Sequence, residues 1–134
     1  MIVLLILLLI IVLLINIILS NSTNEHFDFG DPNNLIYLYD TDNICPSCKD
    51  INTTWTNIET EVPLRPLYYN LQTKKYKITE KDGKTIANEN KINSAPAIIL
   101  KLGNDNSYKI YNEKTQDMSS ILTWARNLTM PINK

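Results

Sequence analysis

Histidine and cysteine are nearly absent from this 134-residue chain, which has one histidine, His26, and two cysteines, Cys45 and Cys48. A structural zinc site takes about four ligands. These three residues cannot close one alone, and zinc would require two copies of the chain around the metal. Arginine is scarce as well, at two against eleven lysines, the net charge is −1, and no basic cluster occurs, which argues against a nucleic-acid partner. No cofactor-binding or metal-binding pattern is present.

Charge is missing altogether from residues 1–20, where Asn16 and Ser20 are the only polar members. A run of this kind, near the roughly 20 residues that span a bilayer, serves membrane targeting rather than the core of a soluble domain. Two readings stay open. One is a signal peptide cut near Ser20-Asn21-Ser22, and the other is an uncleaved anchor. No Lys or Arg precedes the run, and Glu25, Asp28 and Asp31 follow it, a bias toward a cytoplasmic N-terminus and a translocated remainder. Either reading divides the chain into residues 1–22, leader or anchor, and residues 23–134, one small domain. It also delivers the cysteines to an oxidising compartment: the secretory pathway, with the endoplasmic reticulum lumen or the exterior as destination. Asn-x-Ser/Thr sequons at Asn21, Asn52 and Asn127 are compatible with that route, although seventeen asparagines make chance matches easy.

The two cysteines stand in Ile44-Cys45-Pro46-Ser47-Cys48-Lys49, directly after the buried-strand pattern Leu35–Tyr39. Thiols three positions apart at a helix start can close a disulfide, and the helix dipole with its free N–H groups stabilises a thiolate on the first. The thiolate is the species that attacks disulfides, so the spacing points to thiol–disulfide exchange. An inert crosslink is the competing reading, but crosslinks that constrain an unfolded chain usually close long loops, and this one closes a very short one.

Other elements follow from periodicity and turn chemistry. His26–Phe29 reads as a short edge strand. Ile51, Trp55 and Ile58 continue a helical stripe from Cys48, which puts Cys48 on the buried face and Cys45 at the exposed helix tip, so the two sulfurs should differ in exposure. The helix should stop before Pro63 and Pro66, with Leu67–Leu71 as the next strand. Lys81-Asp82-Gly83 either turns a hairpin or precedes a short helix over Ile86 and Ala87. Pro96 opens a buried strand to Leu100, Gly103–Ser107 turns the chain into Tyr108–Tyr111, and Met118, Ile121, Leu122, Ala125 and Leu128 line a closing helix, with Trp124 at the edge of its face.

This order of elements, with the Cys-x-x-Cys helix and Ser94-Ala95-Pro96, resembles the thioredoxin superfamily over about Leu35 to Leu128, and Lys49 matches the lysine that follows the second cysteine in thioredoxin. The resemblance implies an α/β thioredoxin-like fold, a central mixed β-sheet flanked by helices. It implies a cis bond before Pro96 beside the redox pair, and a backbone at Ala95 and Pro96 that pairs with an extended client. It further implies a protein thiol–disulfide oxidoreductase in which Cys45 attacks and Cys48 resolves, with cysteine-containing proteins as clients and another redox protein as partner.

Three departures bear on mechanism. Asn43-Ile44 stand where a tryptophan usually precedes the first cysteine. Tyr39 stands in place of the buried acid six residues before Cys45, leaving proton transfer to water or to a carboxylate such as Asp40 or Asp42. Pro46-Ser47 resembles glutaredoxin and DsbA-like centres, yet the Gly-Gly motif that binds glutathione after the cis-proline strand is missing. A second function therefore stays open: a non-catalytic thioredoxin-like module that captures cysteine-containing proteins for membrane machinery.

Overall fold

The computed structural model describes residues 31–41, 44–103 and 105–130. The 22/23 boundary, the His26–Phe29 strand, Asn21, His26 and Asp42 lie outside the described residues. Among the described residues no helix is long and apolar enough to cross a membrane.

Four strands form one mixed sheet in the order β2-β1-β3-β4. Strand β1 (Asn33–Tyr39) is central, pairing in parallel with β2 (Leu71–Lys77) and antiparallel with β3 (Ala97–Lys101), and β4 (Tyr108–Ile110) adds antiparallel to β3. A parallel pair needs a crossover, and helix α1 (Pro46–Glu61) supplies it. The sheet is flanked by α1, by α2 (Lys81–Glu89) and by α3 (Met118–Thr129).

Alternation along β1 divides its side chains between two cores. Leu35 and Tyr37 pack with Ile51, Trp55 and Ile58 of α1 and Ile121, Leu122 and Ala125 of α3. Ile36 and Leu38 point the other way, against Ile99 and Ala87 of α2. Both faces are covered, which explains why β1 reads as an unbroken apolar run.

The expected strand at Leu67–Leu71 is displaced. The chain there makes two 3-10 turns, Val62–Leu64 and Pro66–Tyr68, and strand pairing starts only at Leu71, opposite Asn33. Pro66 fixes φ and has no N–H for a ladder, and its carbonyl accepts the Tyr69 N–H at 3.2 Å, which closes a turn. Of the two readings at Lys81–Gly83, the helix is the one present, and it packs Gly83 and Ala87 inward. It ends with Lys91 at φ 56° and the Ile92 N–H donating to the Ala87 carbonyl at 2.8 Å, a left-handed cap that steers the chain toward Ser94.

Candidate functional site

The site forms where β1 ends and α1 begins. The Thr41 carbonyl accepts both the Ile44 N–H at 2.9 Å and the Cys45 N–H at 2.8 Å, which folds the loop back and sets Cys45 as the residue capping α1. Pro46 occupies the first turn, where its missing N–H costs nothing. The first turn carries no acidic residue to oppose a thiolate at the helix start. Cys45 and Cys48 are joined as a disulfide with Cα atoms 5.3 Å apart.

The expected contrast in exposure does not appear in this oxidised form, since Cys45 is 4% and Cys48 0% exposed. The disulfide to the buried Cys48 and the N–H bond to Thr41 hold Cys45 inward. An asymmetry of another kind remains. Cys45, and not Cys48, lines a cleft of ≈ 500 Å³ walled by Asp40, Lys84, Asn88, Ser94 and Ala95. Cys48 lies on the α1 stripe with Ile51 and Trp55, and the Tyr37 hydroxyl donates to its carbonyl at 3.2 Å.

The Ala95–Pro96 peptide is cis, and Ala95 faces the same cleft as Cys45. Of the predicted site residues, Cys45, Cys48 and Ala95 are thus brought together, with the half-buried Pro96 next in chain. The sequons lie apart from them. Asn52 is in α1 with its side-chain oxygen accepting from Lys75 Nζ at 3.1 Å, and Asn127 is exposed on α3.

Tyr39, at the position of the expected acid, is half-buried with Lys75 Nζ 4.5 Å from its ring centroid, a cation–π contact. Asp40 is buried at 7% exposure, with Oδ1 accepting the Thr41 N–H at 2.8 Å. As the residue after Tyr39 it follows Ile36 and Leu38 onto the α2 side, and there it lines the Cys45 cleft. The parts played by Tyr37 and by Lys84 and Asn88 of α2 were not legible in the motif. Only the period-two pattern of β1 hinted that Tyr37 would point toward α1. Among the described residues no three His, Cys, Asp or Glu side chains come together as a metal site.

No family model matches the sequence, and no curated protein matches it. Solved structures do match the backbone. The first thioredoxin domain of mouse protein disulfide-isomerase A4 has a TM-score of 0.63 at 14% identity, over 84% of this chain and 74% of that one.

The described domain has the thioredoxin fold.

The first two thioredoxin domains of Saccharomyces cerevisiae Eps1p give 0.62 at 21% identity over 79% of this chain, and the J-Trx1 fragment of ERdj5 gives 0.57 at 18% over 73%. The chain spans 38% of the Eps1p structure and 42% of the ERdj5 fragment, so it corresponds to one unit of larger proteins. In this thioredoxin-like frame the Cys45–Cys48 disulfide occupies the helix-start position of a Cys-x-x-Cys centre, an arrangement that supports a thiol–disulfide role.

Proposed function

We propose that this protein is a thiol–disulfide oxidoreductase acting on cysteine-containing proteins in the secretory pathway. The observation that carries the reading is the Cys45–Cys48 disulfide at the start of α1, with Cys45 on the wall of the cleft that Ala95 also lines.

From the reduced state, the Cys45 thiolate attacks one sulfur of a client disulfide, and the other client sulfur leaves as a thiol. Cys48 then loses its proton and attacks Cys45, which releases the second client thiol and forms the intramolecular disulfide. From the oxidised state, a client thiolate attacks Cys45 and the sequence runs backward. A further redox protein restores the starting form in either direction. Ala95 offers backbone groups to an extended client, so recognition is largely independent of client sequence. Proton transfer in the resolving step falls to water or to a carboxylate such as Asp40, which lines the same cleft as Cys45. The uncharged run 1–20 supports the secretory assignment, and glycans at Asn21, Asn52 and Asn127 belong to the same proposal.

The two cysteines have different jobs, and this makes the reading testable. Cys48→Ser should accumulate covalent client complexes on non-reducing gels after expression in a secretory compartment, whereas Cys45→Ser should give few or none. Trapping by neither variant, while the wild type stays fully oxidised, would assign the pair to an inert crosslink. Stable client capture by the wild type without turnover of a model disulfide would instead favour the non-catalytic client-binding module.

A further inference from the structure

The pole of the domain opposite the cysteines has its own chemistry. There β1 begins at Asn33, α1 ends at Glu61 and α3 ends at Thr129. The turns between α1 and β2 hold Leu64 at 72% and Tyr69 at 75% exposure, and Leu67, Leu128 and Met130 are exposed as well. Scattered apolar side chains on a surface need no explanation, but grouped ones mark a contact. These are grouped: Leu67, Tyr69, Met130 and Asn33 line one cleft of ≈ 260 Å³, and Leu64 and Tyr69 line the adjoining one of ≈ 530 Å³. Pro63 and Pro66 stand in the two 3-10 turns that hold this segment, second in one and first in the other, so the outward leucines are built into the backbone.

We propose that this pole is a membrane-contacting surface, seated on the phospholipid bilayer that holds residues 1–20. The course of the chain identifies the occupant. The uncharged run of 20 residues matches the length that spans a bilayer. Only ten residues, Asn21 to Gly30, separate it from Asp31, a tether of at most ~35 Å when fully extended. The domain is entered at Asn33, on the wall of the same cleft as Leu67 and Met130. An anchor in the bilayer therefore leads the chain into the domain at this pole, beside its apolar cluster. Arg65, the only charged residue in segment 62–70, is paired with Glu61 at 2.7 Å, so the surface fits an uncharged phosphatidylcholine interface and does not depend on anionic lipid. Seating places the Cys45 cleft at the far end of β1, roughly 23 Å up the seven-residue strand and facing the aqueous compartment. The proposal is independent of the redox reading.

Lipid proximity tests it in the full chain reconstituted into phosphatidylcholine vesicles. Single tryptophans are introduced as Leu67→Trp, Leu64→Trp or, at the opposite pole, Ile44→Trp, each with Trp124→Phe. Trp55 is fully buried and serves as a constant background. Phosphatidylcholine carrying a nitroxide near the head-group end of one acyl chain quenches only fluorophores at the interface. The expected result is at least two-fold quenching of the added emission for Leu67→Trp and Leu64→Trp, and almost none for Ile44→Trp. Three outcomes would overturn the proposal. One is no quenching at any position, and another is equal quenching at both poles. The third is a Leu67→Trp emission that shifts with protein density in nitroxide-free vesicles yet is never quenched, which would assign the surface to a second copy of the chain.

Discussion

Replacing Gly83 with alanine sets two effects of opposite sign against each other, and the structure decides between them. Gly83 lies in α2, where alanine is favoured over glycine by about 0.8–1.0 kcal/mol in a helix interior. Its position leaves no room for that gain. A Cβ would stand 2.1 Å from the Lys77 carbonyl oxygen and 3.2 Å from the Ile78 Cα. The first contact is shorter than normal by roughly 1 Å, and both neighbours are backbone, which cannot rotate away. Helix α2 must then move off β2, an overpacking cost of about 1–3 kcal/mol, with a clash against backbone toward the upper end. After subtraction of the propensity gain, about 1–2 kcal/mol of destabilisation remains. At about 4–8 °C per kcal/mol for a domain of this size, Tm falls by roughly 5–15 °C. Urea unfolding followed by the emission of buried Trp55 measures the change, with the slope m expected to stay constant. Because α2 carries Lys84, Ala87 and Asn88 on the wall of the Cys45 cleft, its displacement should also slow exchange with a model disulfide. A Gly83→Ala protein as stable as wild type, or more so, would refute the steric argument and leave propensity in control.

Asn33 ties three segments at the opposite pole: its side-chain oxygen accepts the Gly103 N–H at 3.1 Å and its amide donates to the Asn70 carbonyl at 3.3 Å. Asn33→Ala orphans a buried donor and should cost about 1–3 kcal/mol in a denaturant titration. Asn33→Asp keeps the acceptor for Gly103 but sets a carboxylate oxygen against the Asn70 carbonyl oxygen in a buried site, so it should not restore the loss. Asp117 caps α3, its carboxylate accepting the Ser120 N–H at 3.0 Å, and the hydrogen bonds from Ser120 hold its pKa below the usual 3.8. A carboxyl whose native pKa is depressed adds stability that is fully present above the unfolded value and lost as pH falls through the native one. The gap in Tm between wild type and Asp117→Ala should therefore be constant at neutral pH and close in strong acid, while Asp117→Asn, a pH-independent cap, should gain on wild type over the same acid range and keep its margin over Asp117→Ala at every pH. A gap for Asp117→Ala that does not close in acid would remove the carboxylate from the explanation.

The elements legible in the sequence are those whose burial is uniform. Strand β1, the α1 stripe of Cys48, Ile51, Trp55 and Ile58, the Pro96 strand and α3 all carry their pattern openly, and the Cys-x-x-Cys spacing marked the site. Strand β2 lies at the edge of the sheet among the described residues, and Lys74, Lys75 and Lys77 hide its apolar register, so the sequence pattern points instead to the more apolar Leu67–Leu71. Gly83 was ambiguous for a related reason. In sequence it resembles a turn glycine, but in the fold it is the point where α2 touches the backbone of β2, a long-range demand that no local pattern contains.

The burial of Cys45 and the placement of Asp40 belong to that same long-range class, and they are connected. A strand alternates its faces, so an acid at position 39 would lie on the α1 side, with Tyr37, while an acid at position 40 lies on the α2 side. Here the α1 side holds Tyr39 under the Lys75 ammonium, and the carboxylate stands instead in the cleft that Cys45 lines. The one-residue shift, which in the sequence reads as loss of the acid, becomes in the fold a change of face: the carboxylate leaves the side of the sheet that packs on α1 and stands on the wall of the cleft that Cys45 lines, held there by the Thr41 N–H.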